Sequence, residues 1–295
     1  MKNKNATIIL IIILSIIVVI TTIFFIGLLT KRTISSNFVI RTKQSNNLTI
    51  DEVYDGIYSE IRIDSKAADI NILKSSNNQI NIKVYEENKD TQITSENNTL
   101  TVSSQNESCK GFCTNKKINK IEIYIPSNYE NKLNINSKLG DIFVSNFESM
   151  NLTIESESGD MNIDSINKAN IVSKFGDIEI GSCNNVTIKE DSGDVKVNFA
   201  DIVNINNNFG DIELGRINHS FLLTSNNGDI EIDSIDLKEN SSIKSNYGDV
   251  EIGRTNQIKI EAKTNLGNTR IRNNYSDSIL RLTIESDYGD IEIEN

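Results

Sequence analysis

The 295-residue chain has no tryptophan, one proline, one histidine and three cysteines. A single histidine excludes a zinc enzyme built on several imidazoles, and any histidine-dependent triad that does not use His219. Three cysteines cannot form a disulfide scaffold. G-x-S-x-G, H-E-x-x-H, P-loop and kinase signatures are missing. Basic charge is scarce: 30 Lys and Arg stand against 41 Asp and Glu, for a net charge of -11. Lys2, Lys4, Lys31 and Arg32 are the only charged residues before position 33, so the remainder is more acidic still. A body of that sign repels phosphate backbones and disfavours general nucleic-acid binding. Carboxylates are so widespread that paired acids give no glycosidase or lyase signal.

What is present begins with an apolar run. Residues 6–29 carry no charge, and only Thr7, Ser15, Thr21, Thr22 and Gly27 interrupt them. As a helix this run spans roughly 36 Å, enough to cross a bilayer's hydrocarbon core. A cleaved signal peptide has an apolar stretch of about 7–15 residues and a small-x-small cleavage site. Here the run is longer, and residues 25–32 make a poor cleavage site. The reading is an uncleaved, single-pass signal-anchor whose partner is the lipid bilayer. The expected domains are a tail over 1–5, an anchor over 6–29, a polar stalk over 30–47 and a repeat domain over 48–295. The flanking basic residues do not by themselves favour export of the C-terminal part. The polar, Ser/Thr/Asn-rich body does, and places the C-terminal domain outside the cytoplasm.

That body is a repeat. Gly-Asp recurs at Gly140-Asp141, Gly159-Asp160, Gly176-Asp177, Gly193-Asp194, Gly210-Asp211, Gly228-Asp229, Gly248-Asp249 and Gly289-Asp290, and Gly267-Asn268 fills the one gap. The spacings are 19, 17, 17, 17, 18, 20, 19 and 22. Apolar residues occupy fixed columns two and four places after each Gly, as in Ile178/Ile180 and Ile212/Leu214. They also stand five and seven places before it, as in Ile188/Val186 and Ile205/Val203. Polar residues such as Glu179, Lys196, Glu213, Glu231, Glu251 and Glu292 fall between. Period-2 alternation on both sides of a turn reads as two short strands with one face in and one out. A lone unit cannot bury its apolar face; stacked units can. The expectation is an all-β, parallel β-solenoid, β-helix-like, of about nine to ten short coils. A first coil appears at Ala68, where Ile61, Ile63, Ile70 and Ile72 fall in the correct columns. Less regular strands follow at 79–85, 99–103 and 120–126, with a loop over 104–117.

Candidate sites each have a bland alternative. The Asp column invites calcium, which would relieve repulsion between stacked carboxylates. The nonapeptide pattern of calcium β-rolls is absent, and Asn268 keeps a hydrogen bond without the charge. Turn formation is favoured: Gly supplies φ > 0 and Asp caps nearby backbone N–H groups. No metal, cofactor or catalytic residue is therefore assigned. The residues before each Gly include Phe175, Phe209, Tyr247 and Tyr288. They can pack over small neighbours in adjacent coils or form a platform for sugars; packing is favoured. Cys183 reads as a core residue, and Cys109 and Cys113 as a local disulfide if the domain is exported. His219 reads as part of a solvated turn.

The Gly-Asp-Ile-Glu-Ile repeats, the preceding Ile-Glu-Ile-Tyr-Ile-Pro-Ser (residues 121–127) and the N-terminal apolar run together resemble the bacterial "putative adhesin" family, over about residues 48–295. The resemblance implies a β-strand-repeat domain and supplies no catalytic residues. Members are similar to membrane-linked proteins of envelope-stress systems. The expected function is a surface-exposed binding or adhesion module, not an enzyme, with an unidentified extracellular or envelope partner. An accessory role in envelope stress or signalling, a polysaccharide-acting solenoid enzyme and, for reversed topology, a cytoplasmic polymerising scaffold stay open as alternatives.

Overall fold

Strict alternation of β-branched and polar residues yields strands, and their recurrence in fixed columns makes the strands stack in register. The computed structural model describes residues 45, 47–105 and 118–294. The apolar run 6–29, all of the stalk except Ser45 and Asn47, and Cys109 and Cys113 lie outside the described residues. Among the described residues there is no helix, so none is long and apolar enough to cross a membrane.

The strands are β1 (Leu48–Tyr54), β2 (Glu60–Ser65), β3 (Ala68–Ser75), β4 (Ile80–Tyr85), β5 (Thr91–Glu96), β6 (Thr99–Ser104), β7 (Asn119–Pro126), β8 (Lys132–Ser137), β9 (Ile142–Val144), β10 (Phe147–Ser156), β11 (Met161–Ser173), β12 (Ile178–Glu190), β13 (Val195–Phe209), β14 (Ile212–Asn227), β15 (Ile230–Ile235), β16 (Ser241–Tyr247), β17 (Val250–Thr255), β18 (Lys259–Leu266), β19 (Thr269–Ile271), β20 (Arg281–Tyr288) and β21 (Ile291–Ile293). They build an all-β parallel solenoid of about nine coils. Each of β11 to β14 leaves one Gly-Asp turn, passes a bend and arrives at the next turn. Like columns pair: Ile163 with Ile180, Ile180 with Val197, Val197 with Leu214. Inward side chains from both limbs form one core running the length of the stack.

Spacing differences are absorbed at the bend opposite the Gly-Asp turns. Between β13 and β14 the register shifts, so that Asn218 and His219 stand opposite the single residue Asp201. That bulge accounts for the extra residue in an 18-residue coil. His219 therefore lies in a strand bulge rather than in the expected turn, 3.4 Å from Glu239. The Gly-Asp edge itself stays regular from coil to coil.

The order of coils departs from a simple sequential stack at both ends. The Ala68 coil stacks on the Gly140 coil, through Ile70–Ile142 and Ile72–Val144. The intervening strands lie on its other side: β6 pairs with β2 and β7 with β3, both parallel. Antiparallel β5, β4 and β1 then close that end. β5 was not legible in the sequence, because 91–96 lacks the apolar columns.

At the C-terminal end, β20 and β21 pair directly with β16 and β17. The earlier coil, β18 and β19, packs outside them. The last coil in sequence is thus second to last in space, where a strictly sequential stack would leave Ile293 with a neighbour on one side only. Ile293 is buried between Ile252 and Ile271. The physical reason is in the columns. Leu282, Ile284, Ile291 and Ile293 can fill a two-sided interior, whereas Ala262 and Thr269 weaken the coil that ends up on the outside. Lys259, Lys263, Arg270 and Arg272 suit an edge, where charge discourages further strand addition. The Asn274 side chain also occupies part of that edge: its Nδ2 donates to the Ile260 carbonyl at 2.8 Å, and its Oδ1 accepts from the Ile260 N–H at 2.9 Å.

Candidate binding surface

The Gly-Asp edge is built from the backbone outward. At Gly210 φ is +124°, and a Cβ there would lie 2.2 Å from the Gly193 carbonyl oxygen. Both conformation and close approach demand glycine. At Gly267 the close approach alone does so, with 2.0 Å to the Gly289 oxygen.

The aspartates form a ladder between coils rather than a cap within each turn. Asp211 N–H donates to Asp194 Oδ1, Asp229 N–H to Asp211 Oδ1 and Asp249 N–H to Asp229 Oδ1, each at 2.8 Å. The ladder runs unbroken from Asp69 to Asp290 and ends at Asn268, whose N–H donates to Asp290 Oδ1 at 2.7 Å. Asn268 stands at the end of the column, where no further coil requires its acceptor. Each of Asp141, Asp160, Asp177, Asp194, Asp211, Asp229, Asp249 and Asp290 thus receives one backbone donor, which offsets part of the repulsion that the calcium reading invoked. Among the described residues no cluster of three or more His, Cys, Asp or Glu is arranged to hold a metal ion.

Two places after each Asp stands a second outward column. Glu213, Glu231, Glu251 and Glu292 follow one another along the stack. Lys196 at one end lies 2.6 Å from Glu213, and Arg270 at the other 2.7 Å from Glu292. A shallow groove of about 360 Å³ runs between the two acidic columns near Asp177, Asp194, Glu179 and Lys196.

On the other side of each Gly are two columns that complete the edge. Two places before it lies an amide ladder: Asn208 Nδ2 donates to Asp191 Oδ1 at 3.0 Å, Asn226 to Asn208 and Asn246 to Asn226, both at 2.8 Å. One place before it lies the aromatic column. Phe175 and Phe209 are each 58% exposed, Tyr247 53% and Tyr288 45%. The expected alternation of large and small holds from Leu139 to Tyr247 and then fails. Because the Gly289 coil sits directly on the Gly248 coil, Tyr288 stacks on Tyr247, with centroids 4.8 Å apart and planes 6° from parallel. Leu266 follows, 63% exposed. These side chains line the corner without being covered by their neighbours.

A further column escaped sequence reading. Three places before each Gly, Ser137, Ser156, Ser173, Glu190, Asn207, Ser225, Ser245 and Ser286 point inward and are buried. They continue through Ser65 and Ser104 at the other end. Two of them reach glycine carbonyls: Asn207 Nδ2 donates to Gly210 O at 2.9 Å and to Gly193 O at 3.1 Å, and Ser225 Oγ to Gly228 O at 3.4 Å. The hydroxyls of Ser137, Ser156, Ser245 and Ser286 have no hydrogen-bond partner among the described residues. The signal was a run of small polar residues in an inward register, easily taken for surface. Cys183 is buried in the bend column with Ile166 and Ala200, and burial pushes its thiol up to about 11, the range of an inert core residue.

Known proteins bear on this geometry at two levels. The Toastrack DUF4097 family model matches residues 58–277. No curated protein matches. Among solved structures, a "putative adhesin" from Bacteroides fragilis is 16% identical, with 85% of this chain and 99% of that one covered and a TM-score of 0.44. One from Parabacteroides merdae is 11% identical, with 85% and 98% covered and a TM-score of 0.45. A "putative lipid binding protein" from Parabacteroides distasonis is 12% identical, with 85% and 98% covered and a TM-score of 0.47. With the family model spanning most of the repeat domain, the chain belongs to the Toastrack DUF4097 family.

Proposed function

We propose that this protein is a membrane-anchored, surface-displayed binding or adhesion module without catalytic activity. The observation that carries the reading is the exposed column of Phe175, Phe209, Tyr247 and Tyr288 along an otherwise polar edge. Exposed apolar side chains gathered in one place mark interaction surfaces. The rigid stack presents them at fixed intervals, as a recognition surface requires. Most connections between the described coils are short, and the grooves beside the Asp ladder are shallow rather than the deep clefts of solenoid enzymes. Residues 6–29 supply the anchor in this reading, with the acidic domain projecting outward from the lipid.

The test is protease accessibility. Protease added to intact protoplasts should degrade the repeat domain and leave a small membrane-embedded fragment. Complete protection of residues 47–295 would place the domain in the cytoplasm and overturn the reading.

A further inference from the structure

We propose that the Gly-Asp edge is a carbohydrate-binding strip for an extended, uncharged β-1,4-linked glycan chain. The proposal rests on the reading of the domain as a surface binding module and names its ligand class. Aromatic exposure is concentrated: among the described residues the exposed rings are Phe175, Phe209, Tyr247, Tyr288 and Tyr275, and all but Tyr275 share this edge. Other exposed apolar side chains, such as Ile57, Leu222 and Ile279, are aliphatic, whereas the four rings fall in one line on this edge.

The spacing fits a sugar chain. Phe209 pairs across to Asn227, and Asn227 to Tyr247. Phe175 and Phe209 are likewise separated by the coil of Ser192. Phe175, Phe209 and Tyr247 are therefore each two strand steps apart, about 10 Å, which is the length of one disaccharide in an extended β-1,4-linked chain, and Tyr288 adds a second ring one step beyond Tyr247. Tyr247 and Tyr288 lie nearly parallel with centroids 4.8 Å apart, and each stays about half exposed, so the pair offers ring surface to a ligand. The π face is negative and attracts the polarised axial C–H groups of a pyranose ring.

The flanks supply the polar half of a sugar site. Across each Gly from the ring column stands the Asp ladder, no more than about 7 Å away by chain reach. In Asp177, Asp194, Asp211, Asp229 and Asp249 the ladder uses Oδ1 as the acceptor. Their Oδ2 atoms accept no hydrogen bond from the described residues and can receive sugar hydroxyls. The amide ladder of Asn208, Asn226 and Asn246 lies on the opposite flank. The charge selects among ligands. A column of carboxylates repels uronate or phosphate polymers and resists burial against an anionic membrane. It also opposes docking of a second copy through this edge, which would bring two Asp ladders together.

The experiment uses the full-length chain in detergent micelles. Its retention on insoluble chitin and cellulose is compared with retention on starch, whose α-1,4 chain coils, and on polygalacturonate, which is anionic. Four proteins are compared: wild type, Phe175→Ala with Phe209→Ala, Tyr247→Ala with Tyr288→Ala, and Tyr288→Phe. The expected result is retention on chitin or cellulose but on neither control, about a tenfold weakening in each double variant, and full retention in Tyr288→Phe. Because the substituted rings are exposed, the variants should melt within a few degrees of wild type, which circular dichroism checks. Absence of retention on both β-1,4 polymers, equal retention by the alanine variants or comparable retention on polygalacturonate would overturn the proposal. These failures are distinct from failure of the module reading: a domain that is protease-accessible on protoplasts yet ignores β-1,4 glycans sinks the ligand class alone.

Discussion

Glu190 is the one ionisable side chain in the buried polar column, between Ser173 and Asn207. Its Oε1 accepts the Ser192 N–H at 3.1 Å, and its Oε2 has no partner. Burial pushes its carboxyl above the ordinary value of 4.5, against the opposing pull of its hydrogen bonds. The folded chain holds this proton more tightly than the unfolded chain. The contribution is therefore fully present below about pH 4.5 and is lost as pH rises through the folded value. Glu190→Gln should melt with wild type near pH 4 and at a higher temperature near pH 7.5; a gap that stays constant with pH would contradict the assignment. The edge residues allow a second comparison. Asp211→Asn keeps an acceptor for Asp229 N–H and should change stability by less than about 0.5 kcal/mol. Gly210→Val meets both a strained φ and the Gly193 oxygen, and should cost more than about 3 kcal/mol. Urea melts decide between them. Glycine and aspartate were legible in the sequence because their columns are nearly invariant. The serine column was not, because a small polar side chain in an inward phase looks like a solvated one.

At the scale of the strand, the inward and outward phases of β14 separate two neighbours in sequence. Leu214 is buried between Val197 and Ile232, while Glu213 points outward beside Lys196. Leu214→Asp should unfold the middle coils, since it places an unpaired carboxylate in an apolar stack. Glu213→Ala should stay within about 0.5 kcal/mol, the value for a surface site. Equal sensitivity at the two positions in urea melts would refute the column assignment. The terminal strands give a sharper contrast. Ile293→Ala removes a side chain enclosed on both sides and should cost about 2–5 kcal/mol. Ile271→Ala lies on the outermost coil, half-buried, and should cost clearly less. A sequential stack would reverse that ranking. The strands of the repeat were readable from alternation, and β5 was not. Their order at the ends was not, because a column match is satisfied equally by either neighbour, and the weak inward residues Ala262 and Thr269 were the only hint.

For the whole molecule, both ends are reordered. At the N-terminal end the Ala68 coil comes first, and the chain then builds β4 to β7 outside it before passing to β8 and β9 beneath. At the C-terminal end the outer coil precedes the inner one. At one end antiparallel strands close the stack; at the other a charged coil and Asn274 protect an edge. The solenoid architecture followed from the repeat alone, since only stacking buries so many half-apolar units. The aromatic column followed from it too, but the Tyr247–Tyr288 stack did not, because that pair exists only through the reordered coils. Coil order is therefore the claim on which both the fold and the strip depend, and disulfide trapping tests it directly. In a chain whose native cysteines are replaced by alanine, Glu251→Cys combined with Glu292→Cys joins residues paired across adjacent strands, within the 4.4–6.8 Å Cα reach of a disulfide. Glu251→Cys combined with Arg270→Cys spans two strand steps, about 10 Å, beyond that reach. The account requires rapid oxidation of the 251/292 pair and none of the 251/270 pair; a disulfide between 251 and 270 would contradict it.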